Sequence, residues 1–101
     1  MIDVITEFLQ SETAKIDIFI YDEDGNPHDP TTSLELDIYS PDGELVIDGV
    51  TPAQEDTGEY LYSYQIPADA DLGWWRGKVT AIDGEGGGEM ISIEPFTFKV
   101  E

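Results

Sequence analysis

This sequence predicts an all-β fold, with about seven short antiparallel strands forming a two-sheet sandwich or a barrel. Three observations carry that expectation. Apolar and polar residues alternate with a period of two in successive runs rich in β-branched and aromatic side chains. Turn chemistry built from Pro, Gly, Asp and Asn separates those runs at roughly eight- to twelve-residue intervals. No stretch shows the 3.6-residue apolar stripe of an amphipathic helix.

The elements follow in order. Ile2 to Leu9 reads as a first strand or arm, weakened by Thr6 and Glu7. From Lys15 to Tyr21, Ile16, Ile18 and Ile20 alternate with Asp17, Phe19 and Tyr21, and a loop dense in Asp, Gly, Asn and Pro follows over 22–32. Leu34, Leu36 and Ile38 then alternate with Glu35, Asp37 and Tyr39. Ser40-Pro41-Asp42-Gly43 is a turn, because Pro presets φ and Gly tolerates a positive one. Leu45 to Ile47 makes a short strand closed by Asp48-Gly49. After Thr57-Gly58, Tyr60, Tyr62, Tyr64 and Ile66 share one face, expected to be the core side. Residues 68–72 allow one helical turn at most. In the next strand Trp75, Val79 and Ala81 fall on one face, and Trp74, Arg76, Lys78, Thr80 and Ile82 on the other. The GEGGG stretch over 84–88 reads as a hairpin tip, and no helix follows it to cradle a phosphate. Met90 to Ile93, then Phe96, Phe98 and Val100, close the chain.

A chain of 101 residues is the size of one domain, and 40% hydrophobic residues suffice for a core. Charge is the unusual quantity: 23 Asp and Glu against 4 Lys and Arg give a formal net charge of −19. Such a chain repels nucleic-acid phosphates and anionic membranes, so neither is an expected partner. The acidity reads either as adaptation to high salt or as a surface for divalent cations or a basic partner. The first is preferred because the acids are spread along the chain. Without cysteine there are no disulfides or thiolate sites. The segment MIDVITEFLQ has neither the basic nor the apolar region of a signal peptide, and no run approaches the length of a spanning helix, so an unexported chain without membrane insertion is expected.

The runs IDIFIYDEDGNPHDP, LELDIYSPDGELV, TGEYLYSYQIP, LGWWRGKVTAID and PFTFKV, in that order, resemble the Ig-like domains of bacteria, archaea and their tailed viruses. The similarity covers about residues 15–100. A single aromatic is usual where this chain has Trp74-Trp75. The resemblance implies an Ig-like β-sandwich and a structural or binding module, and it carries no catalytic residue. Tyr60 is a candidate for the corner tyrosine of such sandwiches, with a plain core aromatic as the other reading.

Catalytic signatures are nearly absent. His28 is the sole histidine, placed between Pro27 and Asp29 in an open loop, and no GxSxG elbow exists. No enzyme is expected. The best metal candidate is Asp22, Asp24, Asn26 and Asp29, whose alternating oxygen ligands around Gly25 resemble the start of a calcium loop. The twelfth-position glutamate of an EF-hand is missing, since Ser33 stands there. A turn in which Asp and Asn bond their own backbone is the preferred reading, with no cofactor. For contact with a partner, Trp74, Arg76 and Lys78 stand out: a tryptophan beside half of the molecule's cations, on the face turned from the core. An ordinary surface, with Trp74 stacked under Arg76, is the alternative.

The expected function is a non-enzymatic structural or protein-binding module. Most specifically, it is a small virion component, a capsid decoration or head–tail accessory protein of a tailed phage or archaeal virus. It would be assembled in the host cytoplasm and bind capsid, portal or tail proteins, with homo-oligomers arising through assembly. The alternative is an Ig-like adhesion or glycan-binding module, calcium-stabilised, at the cell surface within a larger exported protein.

Overall fold

The structure is a computed structural model that describes residues 2–9, 13–67, 70–84 and 90–100. Eight strands follow one another: β1 (Ile2–Leu9), β2 (Thr13–Ile20), β3 (Ser33–Tyr39), β4 (Leu45–Val50), β5 (Ala53–Asp56), β6 (Glu59–Gln65), β7 (Gly73–Asp83) and β8 (Met90–Val100). They form two four-stranded antiparallel sheets, ordered β1-β2-β6-β5 and β4-β3-β7-β8. The expectation of a sandwich or barrel thus resolves to a sandwich. In the lettering used for immunoglobulin-type domains, the first sheet is A-B-E-D and the second is C-F-G with β4 added beside β3. Edge strands β1 and β8 meet along one side, where the Thr6 hydroxyl donates to the Thr97 carbonyl at 3.2 Å.

Strict alternation builds the interior. Ala14, Ile16, Ile18 and Ile20 of β2 face Leu34, Leu36 and Ile38 of β3 and Trp75, Val79 and Ala81 of β7, all buried. Tyr64, Trp75, Phe98 and Phe96 make an aromatic ladder through this core, with successive ring centroids 6.0, 5.9 and 6.5 Å apart. Trp75 Nε1 donates to the Asp71 carbonyl at 2.9 Å, so its one polar atom is satisfied. Tyr60 and Tyr62 are half-buried against the same core, on the expected side. Gly77 is buried in β7 because the end of the Phe96 ring lies over it; an added Cβ would sit 2.2 Å from Phe96 Cζ.

Three elements differ from the sequence reading. β4 continues through Asp48-Gly49 to Val50 instead of ending there, because the dipeptide is absorbed as a bulge whose Gly49 amide donates to Asp37 Oδ1 at 2.7 Å. β5 has no apolar alternation, all four residues being exposed, and only pairing with β6 makes it a strand. β8 runs unbroken through Pro95, whose missing N–H is tolerated because β8 is an edge. The Ser40–Gly43 turn forms as expected, with the Gly43 amide on the Ser40 carbonyl at 2.9 Å. Of the expected helical turn, 68 and 69 lie outside the described residues, as does GEGGG apart from Gly84.

Candidate functional site: the outer face of β7 and β8

Period-two alternation along β7 places Trp75, Gly77, Val79 and Ala81 inside and leaves Trp74, Arg76, Lys78, Thr80 and Ile82 on the outer face. Trp74 is 59% exposed, whereas Trp75 is 3% exposed, so the double tryptophan divides into one core and one surface residue. Cross-strand register completes the site. Trp74 pairs with Lys99, Arg76 lies between Tyr39 and Thr97, and Lys78 lies between Asp37 and Pro95. Lys99 Nζ stands 5.7 Å from the Trp74 ring centroid, a cation–π contact. Lys78 Nζ is 3.9 Å from Asp37 Oδ2, a long, half-buried pair. At the far end of the same face, Ile91 and Ile93 are 59% and 58% exposed beside Ile82 and Thr80.

The three residues chosen from sequence therefore share one face, and the structure adds Lys99, Ile91 and Ile93 to them. Neither isoleucine nor Lys99 could be joined to Trp74 by local spacing, because a hairpin register brings them there. The cation on Trp74 is Lys99, not Arg76 as the ordinary-surface reading had it. Three of the chain's four cations stand here, and none of the outward positions of β7 and β8 (even numbers 74–82, odd numbers 91–99) is acidic.

The Asp-rich loop is built differently from a metal cradle. Asp22 Oδ1 accepts the amides of Asp24 at 2.9 Å and Asn26 at 3.0 Å, which closes a local turn and, through the Asn26 amide first, holds its carboxyl below the usual range. Asp29 points elsewhere. Its Oδ1 accepts the Gly58 amide at 2.8 Å, the Tyr60 hydroxyl at 3.0 Å and Gln54 Nε2 at 2.9 Å. The Gly58 amide foremost, then Tyr60 and Gln54, depress the Asp29 pKa. Asp22, Asp24, Asn26 and Asp29 are not brought together, and among the described residues no three acidic or histidine side chains are placed to hold a metal ion. Burial and the bond to Asp29 push the Tyr60 phenol up to about 12. Tyr60 bonds a side chain rather than the upstream backbone of a corner tyrosine, and it stands on β6.

His28 is tied down too: Nε2 lies 2.9 Å from Asp83 Oδ1, which also accepts the Thr31 amide at 2.9 Å. Burial raises the Asp83 pKa, but the bonds from His28 and Thr31 outweigh it and hold the group low. Asp83 thus pins the loop to the end of β7. Beside it opens a cleft of about 720 Å³ lined by Asp3, Tyr21, His28, Asp83, Met90 and Ser92.

Comparison with protein-family models, with curated proteins and with solved structures finds no match for this chain.

Proposed function

We propose that this protein is a non-enzymatic structural module that binds another protein through the outer face of β7 and β8. One observation carries the reading: a chain of net charge −19 concentrates three of its four cations on the outward positions of β7 and β8, none of which is acidic, with Trp74, Ile91 and Ile93 exposed beside them. Aromatic and arginine side chains at the centre, with apolar neighbours, are the composition of an interface core. Nucleic acid is a poor occupant, since three cations do not offset the field of the remaining surface.

The setting we propose is a small component of a tailed-virus particle, a capsid decoration or head–tail accessory protein. Support for it comes from the resemblance of the strand and turn runs to the Ig-like modules of such viruses. The strong negative charge would keep copies soluble until they dock. Co-sedimentation with purified particles tests this: the wild-type chain pellets with them, and Trp74→Ala pellets at least about tenfold less at equal concentration, the loss of one aromatic anchor. A wild-type chain that stays in the supernatant, or a Trp74→Ala chain that pellets equally, counts against it.

A further inference from the structure

The opposite face of the sandwich has the complementary character. Outward positions of the first sheet carry Asp3 and Glu7 on β1, Asp17 on β2 and Glu59 on β6. Between them lie Ile5, 55% exposed, and the half-buried Phe19 and Leu61. Register places Ile5, Asp17, Leu61 and Ala53 in one row and Asp3, Phe19 and Glu59 in the next. The one cation on this face, Lys15, stands 3.8 Å from Asp17. One broad face is thus acidic with apolar residues among the acids. The other gathers its cations along β7 and β8, with apolar residues at both ends, while Glu35 and Asp37 of β3 flank it on one side and Asp37 stands against Lys78.

From this we infer that a second copy of this chain occupies the contact face: the acidic outer face of β1, β2 and β6 of one molecule seats on the basic ribbon of β7 and β8 of the next. The inference rests on the protein-binding reading above and names its partner. A two-fold contact between identical ribbons would place Arg76, Lys78 and Lys99 against the same three cations, which like-charge repulsion opposes. The head-to-tail contact instead sets cations against acids. Such a heterologous contact uses different surfaces on the two partners, so every molecule keeps one face of each kind and copies add in a row. Size permits it, since the molecule extends 42 × 25 × 18 Å along its principal axes, and a face spanned by the two larger extents is enough for the ~800 Å² per partner of a standard interface.

Long-range repulsion between chains of charge −19 opposes the approach. It acts over about 30 Å at 0.01 M salt and about 8 Å at physiological ionic strength, while the short contact pairs are screened less. Association therefore increases from low to moderate salt.

Sedimentation velocity over a concentration series tests the stacking with three samples. The wild-type chain sediments as a concentration-dependent series of oligomers at moderate salt and as a monomer at low salt. Arg76→Glu/Lys78→Glu reverses the basic ribbon, and Asp17→Lys/Glu59→Lys reverses the acidic face. Each variant alone loses association about tenfold or more, while an equimolar mixture regains it because intact faces pair with intact faces and reversed with reversed. Unchanged circular dichroism melting shows that both variants fold. A wild-type monomer under every condition overturns the stacking, as does association that survives in either variant alone. Particle co-sedimentation of the wild-type chain and Trp74→Ala, run at a concentration where sedimentation velocity shows only monomer, then still decides the broader reading.

Discussion

Gly58 and Asp29 show how much a single position decides here. Gly58 is buried at φ +71°, and a Cβ there would lie 2.7 Å from the Ile20 carbonyl oxygen and 2.8 Å from the His28 amide. Left-handed strain and the backbone clash together put the cost of Gly58→Ala at about 3 kcal/mol, read as a lower urea midpoint. The tryptophans behave oppositely: Trp75→Ala opens the aromatic ladder and costs about 3–5 kcal/mol, whereas Trp74→Ala leaves the melting temperature nearly unchanged. Asp29 carries a pH signature. Its folded pKa is below the ordinary 3.8, so the stability from its three bonds is fully present above that value and is lost as pH falls through the depressed one. Asp29→Ala therefore melts lower than wild type at neutral pH, and the gap closes below pH 3.8. A gap that persists unchanged in acid would mean the bonds do not depend on the charge.

Strands were legible wherever their burial alternates. β2, β3 and β7 each show the period in sequence because one face of each packs into the core, and their expected bounds lie within two residues of those observed. β5 was illegible for the opposite reason. AQED buries nothing, and only the backbone of β6 makes it a strand. That difference has a dynamic consequence: amides of β5, an exposed four-residue edge, exchange with solvent fastest among the strands, and those of central β2 and β7 slowest. Native-state hydrogen exchange measures it, and equal protection of β5 and β2 would refute it. Gly49 misled for a related reason, because Asp-Gly signals a chain reversal unless a neighbouring side chain, here Asp37, captures the glycine amide inside a bulge.

Across the whole molecule the net charge governs conditions. Self-repulsion of −19 destabilises the compact state, and the screening length falls from about 30 Å at 0.01 M salt to about 3 Å at 1 M. The melting temperature accordingly rises with KCl over that range. Calcium chloride at matched ionic strength adds nothing beyond this, since the Asp22 and Asp29 carboxylates are committed to separate turns. An additional calcium-specific rise would restore the loop as a cation site.

The sequence by itself determined the all-β class, the division of β7 into a core row and a surface row, and the acidity, because alternation and composition are properties of the chain alone. It also placed Trp74, Arg76 and Lys78 on one outward face. Only the tertiary structure decided what stands beside them. Lys99, Ile91 and Ile93 join that face through hairpin pairing with residues as many as 25 positions away, and the acidic face opposite exists only once β1, β2 and β6 are side by side. The same holds for Asp29, whose partners Gly58 and Tyr60 are 29 and 31 residues distant. Long-range register is set by how two sheets fill one core, and no local pattern in the sequence encodes it.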